Sequence, residues 1–73
     1  MKKLMIDILK QTPDYRCGNV DFTETNDGIA VYGKNSPAFN NPELAAIYEA
    51  VGLNTMCTYN EVNNRVELTI YGN

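Results

Sequence analysis

The chain has 73 residues, 44% of them hydrophobic and 21% charged, with a formal net charge of −3 and no histidine. That length holds one domain, residues 1–73, which on folding buries only about 60% of the surface its unfolded chain exposes. The balance of apolar and charged residues excludes intrinsic disorder, and no apolar run approaches the ~20 residues of a membrane-spanning helix.

Charge is distributed unevenly. Up to Arg16, four cations (Lys2, Lys3, Lys10 and Arg16) outweigh Asp7 and Asp14. From Cys17 onward, Lys34 and Arg65 stand against Asp21, Glu24, Asp27, Glu43, Glu49, Glu61 and Glu67. An acidic body repels a phosphate backbone, so nucleic-acid contact would be confined to the basic N-terminal segment. That segment, "MKKLMIDILK", superficially resembles a secretory signal. Asp7 interrupts its apolar run and no small-residue cleavage site follows, so a cytoplasmic location is expected.

On a helical wheel Met1, Leu4, Met5, Ile8 and Leu9 share one face, with Lys3, Asp7, Lys10 and Gln11 opposite and Ile6 at the margin. A strand over residues 3–10 would instead mix Lys3, Met5, Asp7 and Leu9 on one face. The helix is the better assignment, and Pro13 is expected to end it. "TPDYRCGN" then reads as a loop broken by Pro13, Asp14 and Gly18.

Two strands follow, Val20–Thr25 and Gly28–Lys34. Val20, Phe22 and Glu24 share a face with Ile29, Val31 and Gly33 of the partner strand. The residues of "NDG" tolerate the positive φ of tight hairpin turns, with Asn26–Asp27 or Asp27–Gly28 as the central pair. Next comes the best-specified element. Asn41 suits an N-cap, Pro42 the first helical position, and Glu43 the positive end of the helix dipole. Leu44, Ile47, Tyr48 and Val51 keep helical spacing. Gly52 stands where a left-handed residue ends a helix, letting Leu53 fold back onto Tyr48.

The last hairpin is expected from Thr55–Val62 and Arg65–Gly72 around an Asn63–Asn64 turn. Tyr59 then lies opposite Leu68, Cys57 opposite Ile70, and Glu61 opposite Val66. One face is apolar, with Cys57 and Tyr59 in the core. The other carries Thr58, Asn60, Val62, Arg65, Glu67, Thr69 and Tyr71. An offset of 37 lays this hairpin on the first, Phe22 on Tyr59 and Val31 on Leu68, as an internal repeat or shared hairpin chemistry would. Either way the fold class is α+β in the order αββαββ, a four-stranded antiparallel sheet with helices packed on one face. A strand at residues 3–10 would make the order βββαββ.

Chemistry-bearing residues are sparse. Cys17 and Cys57 lack CxxC spacing and any histidine, which argues against zinc. They are read as free thiols, although a bridge closing a loop of about 40 residues would contribute about 4 kcal/mol. Glu24 and Glu61, near the two hairpin tips, would pair as shifted carboxylates only if brought together. Cys17 beside Arg16 lacks the base a thiol nucleophile uses. "GKNS" lacks the glycine spacing of a phosphate loop, and "ETNDG" is too short for a calcium loop. No cofactor is implied, and an enzyme is not expected.

Tyr32, Met56, Val62 and Tyr71 are expected together on the sheet face away from the helices, as a candidate interaction face. "VELTIY", guarded only by Glu67, is a second candidate surface if it forms a sheet edge open to a homodimer. The sequence thus points to a small non-catalytic protein–protein interaction or regulatory module. Its alternatives are a nucleic-acid-associated module using the basic N-terminal residues and, behind that, a small enzyme.

Overall fold

The computed structural model describes residues 1–72. Its elements are α1 (Lys2–Lys10), α2 (Pro13–Arg16), β1 (Val20–Glu24), β2 (Gly28–Gly33), α3 (Pro42–Ala50), β3 (Asn54–Asn60) and β4 (Arg65–Tyr71). The four strands form one antiparallel sheet in the order β1-β2-β4-β3. This is the expected α+β architecture, and the helix at residues 2–10 removes the βββαββ alternative.

α1 buries Met5 and Leu9 completely and packs Ile6 and Ile8 partly, whereas Met1 and Leu4 remain exposed. The segment read as a loop contains a short helix instead. Thr12 does two things: its hydroxyl donates to the Leu9 carbonyl (2.6 Å) as α1 ends, and accepts from the Tyr15 amide (3.4 Å) to cap α2. Pro13 therefore opens a helix as well as following one, in keeping with its missing amide and fixed φ. α2 sets the Tyr15 ring 6.4 Å from that of Phe22 on β1.

α3 follows its capping signals. Asn41 Oδ1 accepts from the Leu44 amide (3.0 Å), while Asn41 Nδ2 donates to Asp14 Oδ2 (3.1 Å) and ties the cap to α2. At the far end Gly52 adopts φ +86°, its amide donates to the Glu49 carbonyl, and the Leu53 amide donates to that of Tyr48. This paired bonding is the Schellman arrangement, and it buries Leu53. Leu44 and Tyr48 face the core, whereas Ile47 and Val51 are exposed.

Of the two registers that the sequence leaves open, the first hairpin takes the one with Asn26–Asp27 at its centre, Phe22 opposite Val31 and Glu24 opposite Ile29. Its turn differs: Thr25 and Gly28 close it through backbone and through the Thr25 hydroxyl (3.0 Å), with neither Asn26 nor Asp27 at positive φ. Gly28 is needed for space. A Cβ there would collide with the Ile70 carbonyl oxygen and sit 2.9 Å from Met5 Sδ.

The second hairpin is shifted by two residues. Tyr59 faces Val66, Cys57 faces Leu68 and Thr55 faces Ile70, so the turn spans residues 61–64 rather than Asn63–Asn64 alone. Asn60 Oδ1 accepts from the Asn63 amide (3.0 Å) and Asn64 takes φ +59°, which together stabilise the longer turn. A shift of two leaves the side chains that remain in the strands on their expected faces, while Glu61 and Val62 pass into the turn. It does not keep Cys57 and Tyr59 in the core: both are exposed, because β3 is a sheet edge that the helices cover only in part. β4, expected as a possible edge, lies between β2 and β3. Val31 and Leu68, one offset of 37 apart, are direct partners across the middle of the sheet.

The core is Met5, Leu9, Val20, Ile29, Val31, Leu44, Tyr48, Leu53, Leu68 and Ile70. Tyr48 is its largest fully buried side chain, and its hydroxyl donates to the Met5 carbonyl at 2.7 Å. Burial pushes the Tyr48 phenol far above its ordinary value of 10.0. The folded chain then holds that proton more tightly than the unfolded one. The resulting stability is complete below pH 10 and falls as pH rises beyond it, by up to about 1.4 kcal/mol per pH unit. Urea unfolding should show Tyr48→Phe less stable by about 1 kcal/mol at neutral pH, with a flatter loss of stability above pH 10. Equal alkaline slopes in the two proteins would show that Tyr48 does not carry this linkage.

Candidate functional site

All the buried helix residues lie on one side of the sheet. The other side is formed by alternate strand residues, which include Asp21 and Thr23 of β1, Ala30 and Tyr32 of β2, Arg65, Glu67, Thr69 and Tyr71 of β4, and Met56, Thr58 and Asn60 of β3. No helix covers them, yet Glu67 is only 5% exposed. Its burial comes from neighbouring side chains. Arg65 Nε donates to Glu67 Oε2 at 2.7 Å, Asn60 Nδ2 donates to the same oxygen at 3.2 Å, and Arg65 Cζ lies 3.4 Å from the centre of the Tyr32 ring. The guanidinium is thus held by a carboxylate and an aromatic face at once, an arrangement that suits arginine and not lysine. Beside this cluster the Thr58 and Thr69 hydroxyls lie 2.8 Å apart.

Toward the other end of this open face is a depression of about 460 Å³ lined by Thr25, Asn26, Asp27, Met56, Thr69 and Tyr71. Thr69 pairs with Met56 on β3, and Tyr71 pairs with Asn54 one row beyond. The first turn supplies the polar wall and the second hairpin the apolar floor. Met56 is 51% exposed.

The four residues expected as one interaction face are therefore divided. Met56 and Tyr71 line the depression together. Tyr32 is on the same face but lies beneath Arg65, a structural member of the polar cluster. Val62 is 93% exposed in the second turn and belongs to neither group, because the hairpin shift removed it from the strand. The sequence places Arg65, Glu67 and Asn60 on the polar face, and the structure adds their joint role. The signal was an arginine and a glutamate two apart on one strand, which alternation places side by side.

The remaining candidates are scattered. Cys17 and Cys57 are both free and exposed. Glu24 ends β1 and Glu61 follows β3, so the two carboxylates belong to opposite edges of the sheet. Lys2 approaches Glu24 at 3.8 Å and Lys3 bonds Asp7 at 3.1 Å, so two of the basic N-terminal residues face acidic partners. Among the described residues, no group of three or more His, Cys, Asp or Glu side chains is placed to hold a metal ion. No helix among them is long and apolar enough to cross a membrane.

Comparison with protein-family models, curated proteins and solved structures finds no match to this chain.

Replacing Arg65 by Ala leaves the Glu67 carboxylate without its cation and exposes the Tyr32 ring. Thermal or urea unfolding should show a loss of about 2 kcal/mol. Adding Glu67→Gln should recover part of that loss, since no unpaired charge then remains. A double variant as unstable as the sum of the two single changes would show that the pair is not coupled.

Proposed function

We propose that the protein is a non-catalytic binding module that takes a protein partner on the open face of its sheet. The observation that carries this reading is the joining of Met56 and Tyr71 in one depression, on a face that no helix covers. A half-exposed methionine adapts to different partner shapes, and tyrosine offers large contact area at low entropic cost. The walls formed by Thr25, Asn26 and Asp27 supply hydrogen-bonding groups around the apolar floor. The Arg65–Glu67–Tyr32 cluster next to it keeps the neighbouring strands rigid, so that little ordering is required on binding. A cytoplasmic location is consistent with two exposed free thiols.

The test is selection of peptides from a displayed random library on the immobilised protein, followed by titration of a selected peptide into labelled protein. Amide shifts should cluster at Ala30, Met56, Thr69 and Tyr71. Tyr71→Ala and Met56→Asp should each weaken binding at least tenfold while leaving the circular dichroism spectrum unchanged. Shifts located elsewhere, or undiminished binding by both folded variants, would refute the open face as the binding surface.

A further inference from the structure

The two edges of the sheet are guarded differently. On β1, the Asp21 carboxylate accepts its neighbour's backbone amide, that of Phe22, at 2.8 Å, and Glu24 adds a second negative charge at the strand's end. A carboxylate occupying an edge amide, with like charge beside it, discourages pairing with another chain. β3 has no such device within its own span, the nearest carboxylates being Glu49, which accepts from the Thr55 hydroxyl, and Glu61, just past its end. Its seven residues, NTMCTYN, contain no charge, no proline and no glycine. Three of its side chains that a covered strand would hide, Met56, Cys57 and Tyr59, are exposed.

We propose that β3 pairs antiparallel with β3 of a second copy of this chain, joining two four-stranded sheets into one of eight strands. The strand is self-complementary in the register that overlaps all seven residues. Asn54 then faces Asn60 of the second copy, Thr55 faces Tyr59, Met56 faces Thr58, and Cys57 lies on the two-fold axis opposite itself. No like charges meet, and cross-strand pairs of this kind stabilise a sheet.

The register also covers surface that each chain leaves exposed. Thr55 donates to Glu49 of α3 at 2.6 Å, so this end of β3 is tied to the last turn of that helix. Tyr59 of the second copy, opposite Thr55, comes beside that turn, where Val51 is 53% exposed. Tyr59 is itself 59% exposed, and the two-fold axis repeats the contact. Two short strands with these flanking contacts bury less than the roughly 1,200–2,000 Å² of a tight complex, so the dimer is a weak, concentration-dependent one.

The experiment measures solution mass by light scattering across a concentration series reaching about 1 mM, in reductant. Mass should rise toward twice that of the chain. Cys57→Lys, which places two ammonium groups face to face at an exposed position, should raise the dissociation constant at least tenfold with no change in melting temperature. Paired strands bring opposite Cα atoms to about 4.5–5.5 Å, within disulfide reach. Diamide oxidation of the Cys17→Ser protein should therefore give a covalent dimer linked through Cys57. A monomer throughout the series, or a dimer whose dissociation constant is unaffected by Cys57→Lys, would overturn the proposal. Dissociation by Tyr71→Ala with Cys57→Lys inert would assign self-association to the open face and likewise overturn it.

Discussion

The bond from the Tyr48 hydroxyl to the Met5 carbonyl joins α1 and α3 across 43 residues of sequence, inside the core. A tyrosine that buries its ring must also satisfy its hydroxyl, and here the partner is a backbone group of the other long helix. That requirement places both helices on the same side of the sheet. The Leu53 amide returns to the Tyr48 carbonyl, so the chain leaves α3 at a fixed angle and enters β3 next to the helix that precedes it. Two features follow: a sheet face without helices, and an outer strand that its helix covers at one end.

A four-stranded sheet of this width asks more of two nine-residue helices than they can cover. On the helix side, the shortfall appears as the exposed Cys57 and Tyr59. On the open side, side chains take over the work of burial. Arg65 lies between the Tyr32 ring and Glu67, with Asn60 completing the carboxylate's hydrogen bonds. A charged pair at such a place contributes little if solvated and costs stability if left incomplete. Here neighbouring groups occupy both ions, so the small polar cluster acts as a second, minor core on the face that lacks helices.

What could be read from the sequence follows from how local each signal is. Asn41, Pro42 and Gly52 act within one turn of themselves, and α3 begins and ends where they indicate. Alternation gives the first hairpin's faces, whereas its register is fixed by the bonds between Thr25 and Gly28 that close the turn. For the second hairpin the sequence is ambiguous by two residues, since Asn60, Asn63 and Asn64 all suit turns, and the bond from Asn63 to Asn60 with the positive φ of Asn64 selects the longer one. Alternation is blind to a shift of two, so it assigns faces without assigning partners. Pro13 signals a break in the sequence, but the Thr12 hydroxyl beside it serves both helices, a role that depends on α2 forming. Strand order was the least accessible property. An edge strand and a central strand carry the same alternation, so nothing local to "VELTIY" or to "NTMCTYN" states which is outermost. The separation of Val62 from Met56 and Tyr71 is a consequence of the same turn.

The open-face depression and the β3 edge meet at Met56, which projects on the open face from the outer strand. A two-fold axis normal to the sheet relates antiparallel strands, so pairing through β3 keeps both helical layers on one side and both open faces on the other. The two depressions lined by Met56 and Tyr71 would then lie on one continuous face, flanking the new strand pair. A partner with two copies of its binding segment would engage both, the second intramolecularly and at high effective concentration. Neither depression needs to bind strongly for such a surface to retain its partner. For a chain of this length, with so little area for a single strong site, self-pairing offers a direct physical route from modest contacts to useful affinity.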